Sequence, residues 1–235
     1  MHKDKDVFGQ AIKDYYTQDQ VNAKVIVHTD DFDDDEIPVD YLFRTYPEMP
    51  KLEQLALQKV RGKVLEIGCG AGSHALYLQE KKLDVTPIDI SPLAIEVAQK
   101  RGLKKAKCIN FYDLGNKQDF DTLLLLMNGI GIAGKIERLH LFFEKAKQLL
   151  RPKGQIILDS SNLIYLFEDD EITGTDTYYG EMNYSISYKN YTSDPFDWLY
   201  IDYNSLEVLA EMNGFKSTLI KKGSHYDYLA QLELI

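Results

Sequence analysis

Nine residues constrain this chain more than any others: Val64-Leu65-Glu66-Ile67-Gly68-Cys69-Gly70-Ala71-Gly72. An aliphatic run of this length reads as a buried strand, and the glycines that follow let the backbone turn sharply and let a ligand approach it closely. A helical stretch, Ser73 to Gln79, comes next. Strand, glycine turn and helix in that order are the opening unit of an open α/β sheet, with ligands at the carboxyl ends of the strands.

The rest of the chain continues the rhythm. Strands are expected at Lys63 to Ile67, Asp84 to Ile88, Lys107 to Asn110, Asp121 to Met127 and Gln155 to Asp159, with helices between most of them. Ser91 can accept a hydrogen bond from a free backbone N–H and Pro92 suits a first helical turn, so a helix runs from there to about Lys100. Lys135 to Leu150 places Leu139, Phe142, Phe143, Ala146, Leu149 and Leu150 on one stripe, ended by a turn at Arg151-Pro152-Lys153-Gly154. Asn204, with Glu207 three residues on, has the spacing of a capping box for a helix ended by Gly214. Phe215 to Lys222 and Tyr226 to Leu234 close the chain as a strand pair. The expectation is a single α/β domain, doubly wound, around a mainly parallel seven-stranded sheet with an antiparallel closing strand. Residues 1–60 form an N-terminal helical or lid segment, 61–160 the core, 161–203 an aromatic-rich insert and 204–235 the closing helix and strands.

Composition narrows the function classes. The 235 residues are 44% hydrophobic and 27% charged, as in ordinary globular chains. A net charge of −10 opposes binding to a phosphate backbone. The basic cluster Lys100, Arg101, Lys104, Lys105 and Lys107 falls where a helix ends, beside the negative end of its dipole. The first residues are too polar for a signal peptide, and the longest apolar run, Leu123 to Met127, is too short for a bilayer, so a cytoplasmic protein without membrane contact is expected. Cys69 and Cys108 lack zinc-site spacing and read as reduced thiols. The acidic run Asp30, Asp31, Asp33, Asp34, Asp35 and Glu36 invites a metal reading. Counted from Asp31, however, an EF-hand loop needs Gly and an acid where Glu36 and Leu42 stand, so a solvated loop and no metal are expected.

About twenty residues past the glycine loop, Asp89 ends the second strand, where a carboxylate can take hydrogen bonds from ribose hydroxyls. It could equally serve the helix that Ser91 begins. Together Glu66, Gly68, Gly70, Gly72 and Asp89 resemble the first two motifs of class I S-adenosylmethionine-dependent methyltransferases, with looser similarity over about Val60 to Asp159. That resemblance implies a Rossmann-like methyltransferase fold and S-adenosylmethionine as cofactor. It also implies roles: Glu66 holds the methionine end, Gly68, Cys69, Gly70 and Gly72 pass under the cofactor, and Asp89 grips the ribose. By the same resemblance Ile90 packs on the adenine and Asp113 bonds its amino group. Asn128, after the fourth strand, is placed to face the methyl group or substrate, although Asn128-Gly129 is also a good turn pair.

Methyl transfer from a sulfonium needs a nucleophile held in line, and a general base only where that nucleophile carries a proton. His225, Asp197, Asp202 and the insert tyrosines are base candidates, and no catalytic residue follows from the sequence. The insert carries Tyr165, Tyr178, Tyr179, Tyr184, Tyr188, Tyr191, Phe196, Trp198, Tyr200 and Tyr203. It can roof a cationic site or bury its rings against the sheet. The partner expected is a small-molecule substrate. Two other readings stay open: a nicotinamide-dependent oxidoreductase, disfavoured by Ser73 at the third fingerprint position, and a non-catalytic cofactor-binding protein.

Overall fold

The computed structural model describes residues 5–18, 22–29, 32–167 and 177–235. In chain order the regular elements are α1 (Val7–Tyr16), β1 (Lys24–His28), β2 (Asp35–Pro38), α2 (Lys51–Lys59), β3 (Lys63–Ile67), α3 (Ser73–Glu80), β4 (Asp84–Asp89), α4 (Pro92–Lys100), β5 (Lys107–Cys108), β6 (Phe120–Leu125), α5 (Leu139–Leu149), β7 (Leu150–Ser161), β8 (Glu181–Tyr188), β9 (Tyr191–Thr192), β10 (Phe196–Leu199), α6 (Tyr203–Met212), β11 (Phe215–Lys222) and β12 (Asp227–Leu234). The central sheet has seven strands in the order β11-β12-β7-β6-β3-β4-β5. It is parallel at β4–β5 and β6–β7 and antiparallel where β12 meets β7 and β11, as the aliphatic runs and closing pair implied. No described helix is long and apolar enough to cross a membrane.

The chain divides into two compact units. The first comprises 1–50, 64–114 and 183–196. Its glycine turn leaves β3 and enters α3, and Ser91 caps α4 by accepting the Ala94 N–H at 2.9 Å, with Pro92 in the first turn as expected. The segment before the turn is more than helical. Lys24–Val27 pair antiparallel with Asp35–Pro38, and β1 also pairs with β8, in a sheet of order β10-β8-β1-β2 with β9 paired to β8. Helix α1 buries Val7, Ala11 and Ile12 in a cluster with Val25, Val39 and Leu42 that also includes Ala71, Ala94 and Val97. Each large apolar side chain so buried contributes about 1.5–3 kcal/mol. Tyr188 belongs to this cluster, and its hydroxyl donates to Asp14 on α1 at 3.1 Å. This residue of the aromatic insert is therefore core. Asp30 and Asp31, two of the six acids named in the acidic run, lie outside the described residues.

The second unit comprises 51–63, 115–182 and 197–235. Leu139, Phe142, Phe143, Ala146 and Leu149 are buried along α5, and Phe143 meets Phe215 with ring centroids 5.4 Å apart. Three boundaries differ from expectation. The helix expected from Lys135 starts as a 3-10 turn at Ile136–Arg138, whose first N–H donates to the Glu181 carboxylate at 2.8 Å. Arg151 to Gly154, expected as a turn between that helix and the next strand, lie within β7, whose register to β6 jumps between Phe120↔Leu150 and Thr122↔Gln155. Asn204 is not the cap of α6: Asp202 is, accepting the Ser205 N–H at 3.1 Å, while Glu207 accepts from the Tyr203 hydroxyl at 2.8 Å. A carboxylate two residues earlier satisfies the same orphan donors.

Candidate cofactor site

The site grows from the end of β3. Gly68 and Cys69 donate their N–H groups to the Ile88 carbonyl at 2.9 and 3.0 Å, which ties the turn to β4. The turn then bends back through Gly68 and Gly70 at φ of +76° and +51°, where side chains are strained, and a Cβ on either would meet open space. These two glycines leave a bare backbone floor. Gly72 serves packing as well, since a Cβ there would stand 2.4 Å from Leu103 Cδ1.

Asp89 closes one side. Its Oδ2 accepts the Gly70 N–H at 2.8 Å and its Oδ1 the Ser91 N–H at 2.9 Å, so one carboxylate braces the glycine floor and the start of α4. Burial pushes the Asp89 carboxyl up from its ordinary range, against backbone donors at Ser91, Gly70 and Ile90, and the nearby Asp6 charge adds to the rise. The reading of Asp89 as an acid that serves the start of α4 is thus seen directly, in its contact with Ser91.

Glu66 closes the other side. It is 3% exposed, its Oε1 lies 3.3 Å from His74 Nδ1 on α3, and its Oε2 is buried with no hydrogen-bond partner. Such an orphan costs about 1–3 kcal/mol unless a donor arrives. Cys69 is buried, and burial, then the Asp89 and Glu66 charges, push its thiol well up, which keeps it protonated and inert. Ile90, at 48% exposure, presents an apolar side chain next to Asp89. Asp113 ends a 3-10 turn, capped by Asn110, and is exposed.

Two clamps absent from the sequence reading hold this half-site. Asp6, 2% exposed, accepts from Gly9 N–H at 3.0 Å, the Ser91 hydroxyl at 2.8 Å and Leu93 N–H at 3.0 Å, and so caps α1 and α4 at once. Arg101 donates to the Ala71 carbonyl at 2.6 Å and lies over the Phe43 ring, 4.7 Å from its centroid. Ser73 joins it by donating to the Leu42 carbonyl at 2.7 Å. Arg101, counted in the sequence with a solvated basic cluster, is half-buried, and burial lowers its pKa. Asp6 two residues before Phe8-Gly9 carries a local capping signal, but its second helix is 85 residues away.

Asn128 belongs to the second unit. It adopts φ of +56°, donates its backbone N–H to Asp159 at 2.8 Å and its Nδ2 to the Leu199 carbonyl at 3.1 Å, and accepts from Ser160 at 2.6 Å. Its side-chain amide thus holds β7 to the segment at Leu199. Among the base candidates, Asp202 caps α6 and accepts from Tyr178 at 2.7 Å and Tyr179 at 3.2 Å. Burial pushes its carboxyl up, and these donors with Ser205 pull it lower than ordinary. Burial raises both tyrosines, so the phenols stay protonated. His225 lies exposed in the turn before β12, its N–H on Asp227 at 2.9 Å.

A family profile described as a methyltransferase domain matches residues 64–154. A solved S-adenosylmethionine-dependent methyltransferase from Bacteroides fragilis, in complex with S-adenosyl-L-homocysteine, is 49% identical, with 100% of this chain and 98% of that chain covered and a TM-score of 0.92. A Geobacillus protein named as a methyltransferase is 23% identical over 134 residues, 54% of each chain, so the match spans about half of that relative. A sugar N-methyltransferase from Streptoalloteichus, 14% identical over 78% of this chain and 85% of that chain, shares the fold at a TM-score of 0.56.

Proposed function

The chain belongs to the S-adenosylmethionine-dependent methyltransferases, and from that premise we propose that it methylates a small-molecule nucleophile, at oxygen, nitrogen or carbon, by in-line displacement. The observation that carries the cofactor assignment is the Glu66 oxygen buried without a partner beside a glycine floor open to solvent. When bound, S-adenosylmethionine supplies a methyl carbon made electrophilic by its sulfonium. Glu66 offers a carboxylate oxygen to the ammonium of the methionine end, and Asp89 offers its carboxylate to the ribose hydroxyls. Gly68, Cys69, Gly70 and Gly72 let the cofactor lie against the backbone, Ile90 covers the adenine, and Asp113 accepts from its amino group. Holding the nucleophile in line can supply about 7–11 kcal/mol of the barrier. Asn128 stands just past β6, where open α/β sheets carry their ligands.

A compact acceptor is supported by the net charge of −10, which disfavours nucleic acid. Calorimetric titration with S-adenosylmethionine, S-adenosylhomocysteine and NAD tests the cofactor, with Asp89→Ala as control. Micromolar binding of the first two, lost in the variant, is expected; binding of NAD alone refutes the reading. Tritiated methyl transfer into a panel of small metabolites, absent with RNA and protein acceptors, tests the substrate class. A chain that binds the cofactor and labels only macromolecules overturns it.

A further inference from the structure

The buried pair Glu66 and His74 has an asymmetry that the cofactor roles above do not use. Glu66 sits one residue before the end of β3, and His74 is the second residue of α3, so the glycine turn itself brings them together. The contact is Nδ1 to Oε1 at 3.3 Å, with the two side chains 11% and 3% exposed. A carboxylate can only accept, so Nδ1 is the protonated nitrogen of the ring in this contact. Oε2, the other oxygen of the same carboxylate, is buried and has no partner.

We propose that His74 is a positioning residue: its Nδ1–H pins Oε1 of Glu66 and thereby aims Oε2 at the α-ammonium of the cofactor's methionine end. The inference rests on the cofactor reading above and names a residue that reading leaves out. A carboxylate tied at neither oxygen can rotate about its last bond. Held at one oxygen by a donor, it presents the second oxygen in a fixed direction. The orphan oxygen is the acceptor that an ammonium would satisfy, and nothing among the described residues hydrogen-bonds to it. His74 therefore sets affinity for the amino acid end of the ligand and leaves the nucleoside end to Asp89.

That division of labour supplies the test. S-adenosylhomocysteine carries the α-ammonium; 5′-methylthioadenosine has the same nucleoside and lacks it. Dissociation constants of both ligands are measured for the natural chain and for His74→Phe, His74→Asn and Glu66→Gln. His74→Phe and Glu66→Gln are expected to weaken S-adenosylhomocysteine about tenfold or more, the range for a hydrogen bond to a charged group, and to leave 5′-methylthioadenosine within about twofold. His74→Asn places an amide N–H where Nδ1–H stood and is expected to restore binding of S-adenosylhomocysteine. If His74→Phe weakens both ligands alike, or if the Asn variant is as impaired as the Phe variant, the inference is overturned. If the natural chain binds neither ligand, the cofactor reading fails and takes this inference with it. Should His74→Phe not fold, the Asn and Gln variants still decide: loss in Glu66→Gln confined to S-adenosylhomocysteine, with retention in His74→Asn, supports the assignment.

Discussion

Replacing Asp6 by alanine should damage the chain well beyond an ordinary surface cap. The carboxylate is 2% exposed and accepts three hydrogen bonds, from Gly9, the Ser91 hydroxyl and Leu93. Losing the cap of α1 costs about 1 kcal/mol. The Leu93 N–H at the start of α4 is then left buried without an acceptor, a penalty of about 1–3 kcal/mol. Ser91 still accepts from Ala94, so its lost donation adds only about 1 kcal/mol. The expected total is about 3–5 kcal/mol, a large share of the roughly 5–15 kcal/mol that holds a native protein together. Asp6→Asn keeps one acceptor oxygen and should cost about half as much. Urea unfolding measures the loss, and amide hydrogen exchange localises it to α1 and the first turn of α4. An Asp6→Ala chain that unfolds within about 1 kcal/mol of the natural one, or exchanges unchanged at Leu93, would refute the argument that this one side chain serves both helices.

Two further outcomes follow from single contacts. A Cβ on Gly131 would stand 2.1 Å from Cε2 of Trp198, so Gly131→Ala must displace the indole and should cost about 1–3 kcal/mol; because Trp198 is the sole tryptophan, its emission spectrum reports the shift, and an unchanged spectrum contradicts the geometry. Burial pushes the Asp14 carboxyl up, but hydrogen bonds from Lys189, Gln10 and Tyr188 outweigh it and leave its pKa below the ordinary carboxylate value. A depressed folded pKa stabilises above the unfolded pKa and is lost as pH falls through the folded one, so urea midpoints should drop as pH falls below the ordinary carboxylate range, and Asp14→Asn should flatten that drop; equal acid sensitivity in both chains argues against it.

What the sequence disclosed was whatever the chain writes locally. β3 runs from Lys63 to Ile67 as its aliphatic pattern implied, and α4 starts at Pro92 behind Ser91 because cap and proline are adjacent. Glu66, the glycines and Asp89 converge because strand, turn and strand are consecutive. The illegible parts join residues far apart. β1 was hidden by its short run Lys24–His28, whose partners are β2 and, some 160 residues on, β8. Arg101 looked like one lysine-rich helix end among five cations, and only the fold places its guanidinium on the Ala71 carbonyl. Asn204 and Glu207 matched a capping box by spacing, yet a competing acid two residues earlier took the role, a contest that composition does not decide.

These long-range contacts change what the first fifty residues are for. Read as a lid, the segment would be free to open, and its removal would leave the cofactor floor intact. The contacts argue otherwise. Asp6 bonds Ser91 and Leu93, and Ser91 in turn donates its N–H to Asp89, so the N-terminal helix is two hydrogen bonds from the acid that ends β4. Leu42 and Phe43 are tied to Ser73 and Arg101, and Arg101 holds the Ala71 carbonyl inside the glycine turn. The Asp89 side and the glycine turn of the candidate site are therefore tied to residues that precede the core in sequence. A preorganised site needs such support, because a glycine-rich turn has the greatest conformational freedom of any backbone and would otherwise lose it only on binding. In the first unit that order is supplied during folding, by a carboxylate and a guanidinium placed outside the motif that binds the ligand.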